Sequence, residues 1–345
     1  EKAELATSIQ SLIRHRLLLD FSAVRRVTPF GTQPHAVVPL RDPWLARFAE
    51  LQDGSWQDLQ WSLSVPEHIR VSFPPRLYKM LQQRFKESCL DICRVSNEMP
   101  STFVRVNPLA GKCRDDVIET FQSHGFLAEA SPNTPWGIQV TGGQSSVTAL
   151  PAYFQGIAEI QDEASQIMAG LVQNERQDVI IDLCCGAGGK ALALLGQLGA
   201  EGRLVLHDTR PAALREAVRR LRRAASAASI SGELGVAKWE VASSLENLQR
   251  WNGMASWVIV DAPCSNTGSL KRRPESKYRL FECKKGAKEL ADLFETQRNL
   301  LRLASKLARA SDGYVVYCTC SLLHEENEAQ VLWAQSELDL EQVDA

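Results

Sequence analysis

The second half of the chain alternates short apolar runs with longer helical stretches. Four runs have the length and composition of buried parallel strands, at 179–183, 203–208, 257–262 and 314–319. Helical stretches flank them, at 162–172, 190–199, 211–223 and 286–310. This alternation predicts an α/β fold with a doubly wound parallel sheet, in which ligands bind at the carboxyl ends of the strands.

The chain before Pro151 has a different pattern. Residues 1–65 predict an N-terminal extension that is mostly helical or irregular, with an irregular Pro-, Gly- and Val-rich stretch from Thr28 to Pro43. Residues 66–150 alternate helices with short strands, which predicts a small α/β domain. We therefore expect three parts, of which the large α/β domain at 151–345 is the third.

Composition and charge restrict the function. The 345 residues carry a formal net charge of −2, which argues against coating of nucleic acid by the whole surface, so a polyanion site must be a local patch. No apolar run approaches the roughly 20 residues of a membrane span. The nine cysteines form no C-x-x-C pair of the kind that binds zinc, and no secretory segment is visible. We expect reduced thiols, no metal, and an intracellular compartment, either the cytoplasm or a mitochondrion.

A glycine-rich turn follows the first of the four strands. From Cys184 to Lys190 it reads Cys-Cys-Gly-Ala-Gly-Gly-Lys, and a helix follows. Glycines at such a turn let a ligand approach the backbone. The next strand ends in Asp208, where an acid can hold the ribose of an adenosine-containing cofactor; the alternative is a cap for the helix that begins near Pro211. The pattern predicts nucleoside binding and leaves both a dinucleotide and S-adenosylmethionine open.

Two cysteines follow the other two strands. The third strand ends in Asp261, three residues before Cys264, and Cys320 follows the fourth strand. A cysteine thiolate is a natural nucleophile toward an electron-poor pyrimidine carbon. The alternative is that both are small core residues, but their position after strand ends and the turn fixed by Pro263 favour a catalytic pair. Cys318, from the alternation along its strand, is predicted to be a core residue.

A basic group follows the Cys264 loop directly. A run of charge is by default a solvated face, as we expect for the arginines of the helix at 211–223. This group differs because phosphate contacts there would bring a polyanion to the cysteines. The predicted RNA contacts are Lys271, Arg272, Arg273 and Lys277.

Together these motifs resemble the Sun-domain (Nop/Sun, Fmu-like) RNA cytosine-5 methyltransferases, most of all the bacterial members that act on small-subunit rRNA. The likeness covers about residues 66–345. The motifs that carry it are FVRVNP, LPAYFQGIAEIQDEASQ, DLCCGAGGK, DAPCSNTG with KRRPESKY, and YCTCSLLHEENE. The resemblance implies a Rossmann-like S-adenosylmethionine-dependent methyltransferase domain with a smaller N-terminal RNA-binding α/β domain.

The resemblance also implies a cofactor, partners and residue roles. The cofactor would be S-adenosylmethionine, and the partner rRNA, with tRNA the alternative, and ribosome-assembly intermediates. Cys320 would attack carbon 6 of a cytosine, Asp261 would bind the base at its N3 side, and Cys264 would assist removal of the carbon-5 proton. Lys190 would lie beside them. The cofactor would be held by Cys184, Gly186, Gly188, Gly189, Lys190, Asp208 and Asp261.

The sequence departs from the family pattern in ways that motivate a second hypothesis. The usual Ala-Ala-Pro-Gly-Gly-Lys lacks its proline here, and the acid that contacts the adenine region in the family has only Glu240 or Ser243 as candidates. Ala213 stands where an arginine is usual, and two further strands are expected beyond the helix at 325–338. The alternative is therefore a catalytically degenerate methyltransferase fold that acts as an RNA-binding ribosome-assembly factor. The intact cysteines and Asp261 favour the active enzyme.

Overall fold

The computed structural model describes residues 2–27, 42–143, 146–231 and 237–343. The chain is divided into two compact units. The first unit comprises Glu1–Pro100, Cys264–Glu295 and Cys320–Ala329, and the second comprises Ser101–Pro263, Thr296–Thr319 and Gln330–Ala345. Within the described ranges, no helix is both long enough and apolar enough to cross a membrane.

The helices and strands are numbered here in chain order. The strands are β1 Thr102–Val106, β2 Phe126–Ala130, β3 Gly137–Gly142, β4 Ala158–Ile160, β5 Val179–Asp182, β6 Arg203–Leu206, β7 Lys238–Val241, β8 Trp257–Asp261 and β9 Tyr314–Cys318. The helices are α1 Lys2–Arg14, α2 Arg16–Val27, α3 Pro43–Asp53, α4 Trp56–Leu59, α5 Glu67–Arg70, α6 Pro75–Phe85, α7 Cys89–Ser96, α8 Arg114–Ser123, α9 Pro151–Phe154, α10 Glu163–Gly170, α11 Gly189–Leu195, α12 Pro211–Ser231, α13 Leu245–Gln249, α14 Ser276–Phe281, α15 Gly286–Leu307 and α16 Glu328–Leu338.

The larger sheet lies in the second unit. Its five strands are parallel and follow the order β7-β6-β5-β8-β9. The strand order reverses at β5, because β6 lies on one side of it and β8 on the other, and such a switch point opens a crevice at the carboxyl ends. β5 ends at Asp182 and β8 at Asp261, so both carboxylates border this point. The predicted α/β fold with a doubly wound sheet is confirmed.

Alternate residues of the central strands pack on opposite faces of this sheet. Ile180 belongs to a buried cluster with residues of α11 and α12, whereas Ile181 belongs to a cluster with residues of α13 and α15. Burial on both faces explains why the strand sequences are continuous apolar runs. β7 lacks that signature, because its KWEV sequence is half-buried or exposed at the sheet edge, and it was not among the four predicted strands.

α12 is longer than the sequence indicates. The Ala- and Ser-rich composition of 224–231 predicts a flexible surface connection, but the helix continues to Ser231. Alanine is the strongest helix former, and Ala224 and Ala227 are both buried. The prediction of a flexible connection is therefore wrong.

The smaller sheet also lies in the second unit. It is antiparallel, in the order β2-β3-β1-β4, and a buried cluster joins it to α8 through Val117 and Phe121. β4 pairs with β1 although it follows the predicted domain boundary at residue 150. The helices between residues 66 and 100 belong instead to the first unit.

The first unit is built mainly of helices around two apolar clusters. One cluster joins residues of α6, α7, α14 and the beginning of α15. The other joins α1, α2 and α4 through Leu12, Leu19 and Trp56. The predicted irregular stretch from Thr28 to Pro43 lies, up to residue 41, outside the described residues.

Candidate active site

The glycine-rich turn has a backbone that favours glycine at two positions. Gly186 and Gly188 have φ angles of 53° and 79°, in the left-handed region. A Cβ atom at Gly188 would also lie only 2.9 Å from the Cβ of Ala217 on α12. The turn is closed by a hydrogen bond of 2.8 Å from the Gly188 N–H to the Cys185 carbonyl. The sequence therefore needs glycine at 188 both for conformation and for close packing.

Asp208 joins this turn to the segment that precedes α12. Its side chain is buried, and its Oδ2 accepts a hydrogen bond of 2.9 Å from the Gly186 N–H. The Arg210 backbone N–H and guanidinium also donate to the carboxylate, each at 2.9 Å. Burial alone would raise the pKa of Asp208, but the hydrogen bonds from Arg210 and Gly186 hold the pKa below its usual value. Both cofactor binding and a local structural role fit this position.

Lys190 and Asp261 form an ion pair. The Lys190 Nζ donates to Asp261 Oδ2 over 2.6 Å, and the lysine side chain is 13% exposed against 39% for the aspartate. Burial alone would lower the pKa of Lys190, but the Asp261 carboxylate raises it overall. The lysine is therefore charged and fixes the orientation of the carboxylate. These two predicted site residues thus lie together.

Cys318 is not the core residue that its strand alternation predicts. Its thiol donates to Asp261 Oδ1 over 3.6 Å. Cys318 and Asp261 are in register on β9 and β8, and side chains in register on neighbouring parallel strands project from the same face. Burial raises the pKa of the Cys318 thiol, so it remains a neutral donor.

Asp182 was not among the predicted site residues. It is 1% exposed, and neither carboxylate oxygen has a hydrogen-bond partner of normal geometry within the described part of the chain. Burial, with the nearby charge of Asp261, raises the pKa of Asp182 to about 7. The signal in the sequence was an acid that ends an otherwise apolar strand before the glycine-rich turn.

The two predicted catalytic thiols lie together in the first unit. The sulfur atoms of Cys264 and Cys320 are 3.2 Å apart, and the Cys320 thiol donates to Asn266 Oδ1 over 3.1 Å. Asn266 also donates to the Cys264 carbonyl and has a φ of 59°, in the left-handed region that asparagine tolerates. The Cys320 thiol, followed by burial, raises the pKa of Cys264, which therefore keeps its proton.

A buried glutamate connects the two cysteine loops. Glu326 accepts hydrogen bonds from the Ser265 N–H, at 2.8 Å, and from the hydroxyls of Ser265 and Ser321. Ser265 follows Cys264 and Ser321 follows Cys320, so one carboxylate holds both loops. The Gly268 N–H adds a bond of 2.9 Å to the Cys320 carbonyl. Sequence reasoning missed Glu326 and Asn266, although both lie inside the cysteine motifs.

The predicted RNA contacts are not equivalent. Arg272 and Arg273 are exposed, and Lys271 is half-buried and forms an ion pair of 2.9 Å with Glu98. Lys277 is fully buried, and its Nζ donates to the Arg14 carbonyl and to Asn97 Oδ1 at 2.7 and 2.9 Å.

Lys277 therefore cannot contact a phosphate in this structure. Sequence reasoning placed it outside because a lysine in a basic run is normally solvated. Its amine lies 4.6 Å from the centre of the Phe73 ring, and burial lowers its pKa. Elsewhere, the residues that the structure describes contain no cluster of three or more His, Cys, Asp or Glu with the arrangement of a metal site.

Two protein families match the chain. Residues 169–343 match the family described as "16S rRNA methyltransferase RsmB/F", which is half of the chain. Residues 73–147 match the ferredoxin-like domain of RsmF/B-like methyltransferases. The second match contains β1, β2 and β3 of the smaller sheet.

Curated relatives give the same family. The "Probable ribosomal RNA small subunit methyltransferase B" of Synechocystis sp. is 27% identical over 76% of this chain and 56% of its own length. The "Ribosomal RNA small subunit methyltransferase B" of Pseudomonas syringae pv. tomato is 30% identical over 75% of this chain and 54% of its own length. The chain thus spans about half the length of the curated relatives it matches.

A solved structure shares the fold. "NSun6 from Pyrococcus horikoshii with SFG" superposes with a TM-score of 0.63 at 18% identity, over 77% of this chain and 88% of that chain. The Rossmann-like methyltransferase fold and the resemblance to Sun-domain methyltransferases are confirmed. The chain belongs to the 16S rRNA methyltransferase RsmB/F family.

Proposed function

We propose that this chain transfers a methyl group from S-adenosylmethionine to carbon 5 of a cytosine in RNA, through a covalent cysteine adduct. Ribosomal RNA is the favoured substrate, because the relatives are named as methyltransferases of the small ribosomal subunit. Ribosome-assembly intermediates would then be the partners, and tRNA is the alternative. The observation that carries the proposal is the pair of thiols, Cys264 and Cys320, whose sulfur atoms are 3.2 Å apart.

The second unit has residues that fit S-adenosylmethionine. Gly186 leaves the backbone of the turn open to a ligand, since a Cβ atom there would meet nothing closer than Arg210 Nη2 at 3.8 Å, and Asp208 lies buried beside it. Asp182 is a buried carboxylate without a hydrogen-bond partner of normal geometry among the described residues, as expected for a group that meets a polar ligand. Cys184, Gly189, Lys190 and Asp261 complete the set that would hold the cofactor. When bound, S-adenosylmethionine would supply the methyl group.

Cys320 and Cys264 would have different roles in the reaction. Attack on carbon 6 needs a thiolate, and a Cys264 that keeps its proton can donate a hydrogen bond to a Cys320 thiolate. This favours Cys320 as the nucleophile. The Cys320–carbon 6 bond makes carbon 5 electron-rich. After methylation, the carbon-5 proton passes to water and its electron pair restores the double bond between carbons 5 and 6. This expels Cys320 as a thiolate, and the Cys264 thiol would assist by donating a hydrogen bond to it.

Asp261 would position the base. Its carboxylate is held by Lys190 and the Cys318 thiol, so its orientation is fixed before a substrate arrives. Asp261 ends β8 and Cys264 follows it by three residues, whereas Cys318 ends β9 and Cys320 follows it by two. The target base must leave its stack to be methylated.

The experiment that tests the proposal is transfer of an isotope-labelled methyl group from S-adenosylmethionine to rRNA transcripts. We expect label in RNA, and 5-methylcytosine at one position by bisulfite sequencing. Label at another atom, or its absence on every rRNA and tRNA tried, would contradict the proposal.

A second candidate is an RNA-binding assembly factor without catalysis. It is favoured by Asp208, because Arg210 and Gly186 already bind both carboxylate oxygens. Calorimetric titration with S-adenosylmethionine separates the two candidates, since only the enzyme requires binding.

A further inference from the structure

The turn from Gly186 to Gly189 has little internal stiffness. Three of its four residues are glycines, and glycine loses more conformational freedom on ordering than any other residue. Its own backbone provides the Gly188 bond to the Cys185 carbonyl. Two of its carbonyls, those of Ala187 and Gly189, are instead bound by side chains from α12 and from the residue after β4.

Arg220 of α12 binds the first of these carbonyls. Its Nη1 donates to the Ala187 carbonyl over 2.8 Å, while its Nε and Nη2 donate to Glu159 Oε2 at 3.2 and 3.1 Å. Arg223 binds the other oxygen of Glu159. Glu159 is 1% exposed, so this carboxylate is buried between two guanidinium groups and fixes the orientation of Arg220.

Gln161 binds the second carbonyl. Its Nε2 donates to the Gly189 carbonyl over 3.1 Å, and its Oε1 accepts from the Arg105 Nε over 2.6 Å. Gln161 and Arg105 are both buried. Since the arginine occupies the amide oxygen, the amide nitrogen must face the turn.

The groups that orient Arg220 and Gln161 come from the smaller sheet. Glu159 lies on β4, Gln161 follows β4, and Arg105 lies on β1 in register with Glu159. The smaller sheet therefore contacts the turn through Gln161 and orients Arg220 through Glu159, whereas α12 supplies Arg220 itself and the contact of Ala217 with Gly188.

We propose that Arg220 and Gln161 are positioning residues that hold the glycine-rich turn in the conformation that receives S-adenosylmethionine, with the smaller sheet as their support. This rests on the proposed function for the identity of the ligand. The residues act through the backbone of the turn, because each binds one of its carbonyls. Without either hydrogen bond the turn is held less firmly, by the Gly188 bond to the Cys185 carbonyl and the Gly186 bond to Asp208, and cofactor binding must then restore its conformation.

Amide hydrogen exchange of the cofactor-free protein tests the holding role directly. We expect Arg220→Ala and Gln161→Ala to accelerate exchange across 186–190 by about tenfold, which corresponds to the removal of one hydrogen bond to a charged or buried group. Arg222→Ala is the matched control, because Arg222 is exposed on the same helix. Its exchange in the turn should equal that of the parent protein.

Calorimetric titration with S-adenosylmethionine tests the link to binding. Arg220→Ala should raise the Kd about tenfold, and Arg222→Ala should leave it unchanged. Arg220→Lys keeps a charge beside Glu159 but cannot bind both acceptors as a planar fork, so it should restore the thermal stability and not the affinity. If Arg220→Ala does not fold, the Kd values of Arg220→Lys and Gln161→Ala test the link to binding.

The outcomes separate the two proposals. Unchanged exchange at 186–190 together with an unchanged Kd, in variants that fold, would overturn the positioning role and leave the network as a packing contact. Absence of S-adenosylmethionine binding by the parent protein would overturn the proposed function, whereas the exchange comparison would still decide whether Arg220 and Gln161 hold the turn.

Discussion

The carboxyl group of Asp182 changes its protonation on folding. Its pKa is raised to about 7 by burial and by Asp261, from an ordinary value of 3.8. The native state therefore binds a proton between these two values that the unfolded chain has lost. The contribution of Asp182 to stability is complete below pH 4 and falls as the pH rises through this window, by up to about 1.4 kcal/mol per pH unit.

Asp182→Asn should remove this pH dependence. We expect the variant to exceed the parent in unfolding free energy at pH 8, by on the order of 4 kcal/mol, and the difference to shrink as the pH falls to 4. Urea unfolding across this range measures it. Asp115→Asn, at an exposed position, is the control. A constant difference between Asp182→Asn and the parent at all pH values would contradict the argument.

A second prediction concerns the charge of Asp208. Asp208→Asn keeps the shape but removes the charge, and we expect the affinity for S-adenosylmethionine to fall by about 1.5–3 kcal/mol. Calorimetric titration measures the loss, and Glu201→Gln, exposed at the opposite end of β6, is the control. An unchanged Kd in a folded variant would leave Asp208 as a structural residue only.

At the element scale, Glu326 connects the loop that contains Cys264 to the loop that contains Cys320. Glu326→Gln keeps one acceptor oxygen and replaces the other by an amide nitrogen, so either the Ser265 N–H or the hydroxyls of Ser265 and Ser321 would face a donor. We expect a loss of about 2–3 kcal/mol in unfolding free energy, measured by urea denaturation. Glu337→Gln, at an exposed position of α16, should change it by less than about 0.5 kcal/mol. Equal stability of both variants would show that Glu326 is not required.

Elements with a continuous apolar or helical signature could be predicted from the sequence. β5, β6 and β8 are buried on both faces, and burial on both faces is what produces an apolar run. β9 lies half-buried at one edge of the sheet, but its YVVYC sequence is still an apolar run. β7 could not be found this way because an edge strand is half-exposed and carries Lys238 and Glu240. The end of α12 was missed because Ala-rich sequence suits both a helix and a loose connection, and only the burial of Ala224 and Ala227 distinguishes them.

The site could be predicted in part for a related reason. Lys190 follows β5 and pairs with Asp261 at the end of β8, while Cys264 and Cys320 follow β8 and β9, and the order of the strands brings the members of each pair together. Lys277 was placed on the surface, since a sequence does not show that a lysine will find the Arg14 carbonyl, 263 residues away in the chain. Asn266 and Glu326 act through hydrogen bonds that depend on loop conformation.

At the scale of the whole molecule, a net charge of −2 requires that RNA binding come from a local patch. Replacement of Lys271, Arg272 and Arg273 by Ala should weaken RNA binding and lower the slope of log affinity against log salt, by about 0.7–0.9 for each phosphate that the protein no longer neutralises. Binding titrations at several salt concentrations measure it.

Lys277→Met is the contrasting variant. It leaves the Arg14 carbonyl and Asn97 without their buried donor, so stability should fall by about 1–3 kcal/mol while the salt slope stays unchanged. If the salt slope fell with Lys277→Met, or did not change with the triple replacement, the assignment of the phosphate contacts to Lys271, Arg272 and Arg273 would be wrong.

The central claim is that Cys320 forms the bond to the base and Cys264 allows it to break. The measurement that tests it most directly is denaturing electrophoresis of enzyme incubated with labelled RNA and S-adenosylmethionine. Cys264→Ala should retain RNA covalently through Cys320, whereas Cys320→Ala and the double variant should retain none. An adduct that forms in Cys320→Ala and is lost in Cys264→Ala would reverse the roles. No adduct in either variant, with both folded, would leave the cysteines as structural thiols and contradict the account.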